Sequence, residues 1–403
     1  MQRPKIVLAF SGGLDTSFCV MWLRAEKQAD VVTATVDTGG FSREDLAGIE
    51  QRSRSLGAVA HHTLDGRDEV FRRFVTFLIQ GNVLRGRAYP LSVAAERIVQ
   101  AERVVRLARE LGAQGVAHGS TGAGNDQFRF DGVFRALLPD TPLHAPIRDL
   151  GWSRETETSW LAERGVVVPP KTAAYSVNAG LWGVTVGGRE THDPWAELPD
   201  AVWPAAAGEP PHESRSVVVA FEKGVPVSLD GRRLDGVALV EELHRLGRSY
   251  GVGRGIHIGD TIIGIKGRIG FEAPAPLVLI AAHRELEKLV LTRWQSFWKD
   301  HAAEFYGQML HEGLYYDPVM RDIEAMIASS QCCVSGEARV RFAPGRFDVT
   351  GVRSPYSLVD AQTATYGESA RLWTGAEAAG FAKLHALPMS LAQRVRERMG
   401  DAQ

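Results

Sequence analysis

The chain has 403 residues, 44% of them hydrophobic and 23% charged, which is room for two domains with sizeable cores. A formal net charge of −2 gives no general electrostatic case for nucleic acid or an anionic membrane, so any phosphate recognition has to be local. Three cysteines without a CxxC spacing argue against a disulfide framework and for a cytoplasmic setting; the apolar run after Lys5 is too brief for a signal peptide, and no run reaches the ~18 apolar residues of a membrane span.

Lys5 to Ser17 reads KIVLAFSGGLDTS. Ile6 to Phe10 predict a strand buried on both faces of a parallel sheet. Gly12 and Gly13 allow a sharp turn and a close backbone approach to a ligand. Ser11, Thr16, Ser17 and the first free N–H groups of the next helix (Phe18, Val20, Met21, Leu23) supply donors. Such a corner suits phosphate. A glycine pair alone is weak among 42 glycines; the signal is the order strand, Ser-Gly-Gly, one apolar residue, Asp15, Thr16-Ser17, helix. No GxxxxGKS/T follows, so this is not a Walker loop. The pattern resembles the SGGxDS loop of the ATP pyrophosphatases, which hold the β- and γ-phosphates as a leaving group.

Val31 to Val36 predicts a second buried strand, and Ser42 caps a helix from Arg43 to Leu56 with Glu44 and Asp45 in its first turn. A third strand, Ala58 to Thr63, and a helix, Asp65 to Gln80, follow. Alternating strands and helices predict an α/β fold, a doubly wound parallel sheet with ligands at the carboxyl ends of its strands. A long helix from Val93 to Leu111 leads to a short strand, Gly115 to His118, and a second glycine-rich loop, HGSTGAGNDQFRF. Strands at His144 to Ile147 and Gly165 to Val168 flank a helix capped by Ser153, before an irregular polar run from Pro169 to Gly188 with Lys171, Tyr175, Ser176, Asn178 and Thr185.

The composition of Pro194 to Pro211 predicts a surface excursion. Beyond it come a hairpin from Ser216 to Leu229 through Lys223-Gly224, a helix from Val237 to Tyr250 and strands from Ile256 to Ile269. One helix is expected from Leu286 to Met309, with Trp294, Phe297, Trp298 and Phe305 in a core or subunit interface. A hairpin from Val334 to Val352 and a helix or arm from Gly380 to Met399 complete the chain.

Two loops in this order, with YSVNAGLWG at Tyr175, EKGVPV at Glu222, YGVGRG and IGIKGR around Gly251 and Lys266, and HEGLYYDP at His311, resemble the argininosuccinate synthase family over most of the chain. The resemblance implies an ATP-pyrophosphatase domain of Rossmann-like fold (1–168) and an α+β synthetase domain (169–375) carrying the excursion 194–214. It also implies a C-terminal arm (376–403) that joins a homotetramer. It implies an AMP-forming ligase, in which a ureido oxygen attacks the α-phosphorus of ATP with magnesium on the pyrophosphate, and the amine of L-aspartate then displaces AMP. By the same resemblance Ala9, Ser11, Gly12, Gly13, Asp15, Thr16, Ser17, Val36 and Gly119 hold ATP. Thr121, Asn125 and Asp126 hold aspartate, and Asn125 and Arg129 also face the ureido compound. Asp15, Asn125, Asp126 and Arg129 are the catalytic candidates, Asp126 also for the amine's proton.

The ureido seat departs from the family. Tyr89 and Ser176 match, but Ala94 and Thr185 stand where Ser is usual, Phe271 where Tyr is usual, Ala123 where Lys is usual, and Gly187 and Gly259 at both Glu positions. Each charge-assisted hydrogen bond to an α-ammonium is worth roughly 1.5 to 3 kcal/mol, so losing two weakens citrulline binding by roughly two to four powers of ten. The expectation is therefore a different ureido or carboxamide substrate, unless Glu190 or Asp260 takes over and citrulline, the substrate of arginine biosynthesis, is retained. Two rivals are a pyrophosphatase acting on a nucleic-acid base and a catalytically dead ATP-binding paralogue.

Overall fold

The first strand, β1 (Lys5–Ala9), lies at the centre of a five-stranded parallel sheet and is buried on both faces. The computed structural model describes residues 3–166, 175–204, 211–360 and 362–400. β1 leads into α1 (Leu14–Glu26), β2 (Asp30–Asp37), α2 (Arg43–Ser55) and β3 (Ala60–Asp65). Ser42 and Asp45 form a reciprocal cap at the start of α2, as its sequence predicts. The expected helix to Gln80 is α3 (Arg67–Val70) and α4 (Thr76–Gln80) joined by a π-helical turn over Phe71–Val75.

Next come α5 (Ala94–Glu110), β4 (Gly115–Ala117), α6 (Asp126–Leu137) and β5 (Leu143–His144). The expected strand at His144 to Ile147 ends early because Pro146 opens α7 (Pro146–Leu150), where a missing N–H costs nothing. Ser153 caps α8 (Arg154–Ala162) as expected. The expected strand at Gly165 to Val168 falls partly, and Lys171 wholly, outside the described residues.

The sheet order is β3-β2-β1-β4-β5. Side chains of β1 alternate: Ile6 and Leu8 join Phe18 and Leu23 in one apolar layer, while Val7 joins Val99 and Val104 in the other. Helices thus cover both faces. The order reverses between β1 and β4, the place where an open α/β sheet leaves a crevice at its carboxyl edge.

Tyr175 to Gly188, expected as irregular, is a hairpin of β6 (Tyr175–Gly180) and β7 (Gly183–Gly188). After β8 (Arg215–Glu222), β9 (Val225–Leu229), β10 (Arg232–Arg233) and α9 (Gly236–Ser249) come β11 (Arg254–Asp260) and β12 (Lys266–Glu272). These last two join the hairpin in a four-stranded antiparallel sheet, β11-β12-β7-β6. In place of one helix from Leu286, α10 (Pro274–Val290) and α11 (Arg293–Glu312) are separate, because Thr292 and Gln295 form a capping box that restarts the helix. α12 (Val319–Ser330) precedes the hairpin β13 (Gly336–Ala343) and β14 (Arg346–Arg353), which completes a second five-stranded sheet, β10-β9-β8-β13-β14.

Met1–Tyr356 forms one compact unit and Ser357–Gln403 another. The second holds a short pair, β15 (Ala364–Thr365) and β16 (Ser369–Ala370), and α13 (Gly375–Gly400). No described helix is long and apolar enough to cross a membrane.

Candidate active site

Both glycine loops leave the carboxyl edge of the parallel sheet on either side of its reversal, and a cavity of about 1200 Å³ opens between them and the four-stranded sheet. Gly12 has a φ of +74°, a region glycine adopts without strain, and Gly13 opens α1 with no side-chain cap. The first N–H groups of α1 are therefore available to an anion. Ser11 Oγ lies 3.2 Å from Thr16 Oγ1, which closes the turn. A Cβ on Gly119 would come 2.9 Å from Thr16 Cγ2 and 3.3 Å from the Thr16 backbone nitrogen, so the two loops touch and glycine is required where they meet.

Asp15 lies at the floor of this turn, with Oδ1 buried and without a partner among the described residues. Burial raises its carboxyl above the usual range, opposed by Arg154, whose Nη2 is 3.9 Å away. Glu157 stands behind it; burial and then the Asp15 charge push its carboxyl up to about 7.

The second loop is pinned by His118. The Ser120 N–H donates to Nδ1 at 3.1 Å, which leaves the proton on Nε2, 2.8 Å from Asp131 Oδ1. At its end Asn125 Oδ1 accepts the Ile262 N–H at 2.9 Å, tying it to the β11–β12 connection. Asp126, the first residue of α6, is gripped by Arg97 Nε (2.9 Å) and Arg129 Nη1 (2.8 Å). Burial opposes its ionisation, but the charges of Arg97 and Arg129 prevail and hold the carboxyl at about 2. Arg97 also donates to Asn178 Oδ1 on β6 at 2.6 Å.

Of the sequence-predicted positions, Ala9, Ser11, Gly12, Gly13, Asp15, Thr16, Val36, Tyr89, Gly119, Thr121, Asn125, Asp126, Arg129, Ser176 and Thr185 all line this one cavity. Ser17 does not: it is fully buried in α1 behind the loop. Gly259 and Asp260 line the cavity, whereas Gly187 and Glu190 do not. Glu190 Oε2 instead accepts the Tyr175 hydroxyl at 2.6 Å, and Asp260 is ion-paired with Lys266 at 2.6 Å. The residue-by-residue reading missed Arg85, Arg97, His257 and His311, which also face the cavity. Arg97 and His257 left no distinguishing signal, since α5 carries several other charged residues, whereas His311 opens the HEGLYYDP segment.

A family model described as the Arginosuccinate synthase N-terminal HUP domain matches residues 5–167, and one for the Arginosuccinate synthase C-terminal domain matches residues 175–392. The chain belongs to the argininosuccinate synthase family. It is 42% identical over 402 residues to the argininosuccinate synthase of Xanthomonas campestris (98% of this chain, 100% of that one). It is 39% identical over 390 residues to that of Dictyoglomus turgidum (96% and 97%). For that of Methanocaldococcus jannaschii the figures are 35% over 393 residues (97% and 98%). Argininosuccinate synthases are ATP-dependent ligases that form AMP and pyrophosphate. The joined loops and the cavity between them lie within the regions that match.

Proposed function

We propose that the chain condenses L-aspartate with a ureido compound at the expense of ATP. The ureido oxygen attacks the α-phosphorus and the bond to pyrophosphate breaks; the aspartate amine then attacks the activated carbon, the C–O bond to AMP breaks, and the amine gives up a proton. The observation that supports this reading is the contact between Gly119 and Thr16, with Ser11 to Thr16 and Thr121, Asn125 and Asp126 lining one cavity. Orientation supplies much of the rate in such a two-step transfer. The N-terminal amides of α1 would bind the leaving phosphates. Asp15, with its unpartnered buried oxygen, is the side chain suited to a magnesium ion carried on the triphosphate, whose charge would ease the departure of pyrophosphate. Asp126, at about 2, is too weak a base to take the amine's proton and acts by fixing Arg97 and Arg129.

Kinship at about 40% identity over nearly the whole chain favours citrulline over the specialised analogue that the sequence suggested. One observation keeps the second reading in play: neither Glu190 nor Asp260 presents a free carboxylate to the ureido seat. A homotetramer in the cytoplasm is the setting the family resemblance implies. Purified protein supplied with ATP, L-aspartate and ureido compounds should release AMP and pyrophosphate in equal amounts, each dependent on aspartate. A paralogue that only binds ATP would release neither, and salt-sensitive binding to RNA would favour an enzyme acting on a nucleic-acid base.

A further inference from the structure

The ureido end of the cavity is lined by Arg85, Tyr89, Arg129, His257 and His311. Arg129 Nη2 lies 3.2 Å from His311 Nδ1, and a guanidinium can only donate. Nδ1 is therefore the acceptor, and the neutral ring carries its proton on Nε2. Burial, Arg129 and Arg85 keep that ring neutral. Nε2 is buried with no hydrogen-bond partner among the described residues; the Asp260 backbone favours the protonated ring but does not meet bonding geometry there.

His257 supplies a second unpartnered ring nitrogen. Its ring stacks on Tyr89 at 5.5 Å and fills space left by two glycines: a Cβ on Gly259 would come 2.6 Å from Nε2, and one on Gly86 2.8 Å from Cε1. This Nε2 is also buried and unpartnered. Arg85, held in the turn that its backbone forms with Tyr89, gives one N–H to the Asp260 carbonyl at 2.7 Å and has no carboxylate within ion-pair distance among the described residues.

The acids nearby are already engaged. Asp126 serves Arg97 and Arg129, Asp260 serves Lys266, Glu312 accepts from Gln308, and Glu190 accepts from Tyr175. Among the described residues, none of these four acids presents an unpaired carboxylate to this end of the cavity. A buried imidazole N–H without an acceptor costs free energy, and an acceptor such as a carboxylate would relieve that cost.

We propose that this end of the cavity binds the anionic tail of a ureido compound that carries a carboxylate and no ammonium, with Arg85, His257 and His311 as its donors. The inference rests on the ligase reading for the ureido group itself. An α-amino acid such as citrulline would bring its ammonium group close to the Arg85 and Arg129 guanidinium groups, with no unpaired carboxylate among the described residues to offset it. Where the family resemblance sets a glutamate at Gly259, the His257 ring takes the space.

The test compares four ureido probes that differ only in the tail: 5-ureidopentanoic acid (anion), citrulline (zwitterion), N-carbamoylputrescine (cation) and butylurea (neutral). Aspartate-dependent AMP formation by the full chain should be best with 5-ureidopentanoic acid, with kcat/KM above citrulline by about tenfold or more and above butylurea by a similar factor. Replacing the ring and restoring the acid, His257→Ala with Gly259→Glu, should narrow or reverse the preference. Citrulline used as well as or better than the anion overturns the proposal and leaves the ligase intact. Should no probe support turnover, the ligase reading fails, and calorimetry with a non-hydrolysable ATP analogue decides the seat: selective binding of 5-ureidopentanoic acid upholds it, and equal or absent binding of all four overturns it.

Discussion

Asp126 is the residue on which the charge of the site converges. Two guanidinium groups from different helices meet on one carboxylate, and each also fixes a second partner, Asn178 for Arg97 and His311 for Arg129. Asp126→Asn removes the charge that both arginines share and leaves them repelling one another. At roughly 1.5 to 3 kcal/mol for each charge-assisted bond, kcat/KM for aspartate should fall by about a hundredfold or more. A loss within about twofold, measured as AMP release, would mean that the triad is ornamental. Glu157 lies the other way. Its folded carboxyl is raised from 4.5 to about 7, so the folded state holds the proton more tightly than the unfolded chain. The resulting stability is fully present below about 4.5 and is lost as the pH rises through about 7. Glu157→Gln should therefore raise Tm at about pH 8 and change it little at about pH 5; an equal shift at both would contradict the assignment.

The loop pair is the element that makes the site. Gly119→Ala places a methyl carbon where Thr16 already stands, and the backbone on both sides must give by a few tenths of an ångström. The KM for ATP should rise by about tenfold or more while circular dichroism is unchanged, since misplacement on this scale disturbs binding geometry without unfolding a sheet. An unaltered KM would show that the contact between the loops is not functional. Much of this element was legible in advance. The strand, the Ser-Gly-Gly turn and the α1 start are contiguous, so local chemistry specifies them, and the second loop carries a motif of its own. At the ureido end Tyr89, Arg129, Ser176 and Thr185 were named in advance, but the meeting of Arg85, His257 and His311 was not, because they come from three distant segments and only the tertiary fold brings them together. The β6–β7 hairpin escaped for a different reason: glycines at 180, 183, 187 and 188 blur the alternation by which a strand is recognised. The break between α10 and α11 was written in Thr292 and Gln295, yet the apolar period runs through it and masks the cap.

On the scale of the molecule, apolar side chains remain uncovered. Trp294, Phe297, Trp298 and Phe305 of α11, expected in a core or interface, are 45–59% exposed, and α13 has no buried residue. Along α13, Phe381, Leu384, Leu387, Leu391 and Val395 recur at helical spacing and are all about half or more exposed. A stripe of this kind is what an arm joining a homotetramer, as the family resemblance implies, would present. Phe381→Glu with Leu391→Glu should reduce the assembly seen by sedimentation from a tetramer to smaller species; a wild-type monomer, or a variant that sediments like the wild type, would rule out the arm as an assembly device. The cavity itself lies within the first unit, so the proposed adenylation and capture by aspartate would take place in one fold. The most direct test of that joining follows an oxygen atom. With the best ureido compound labelled with oxygen-18 in its carbonyl, together with ATP and L-aspartate, the label should appear in the phosphate of AMP and be absent from pyrophosphate. Label in pyrophosphate, or unlabelled AMP, would contradict the account.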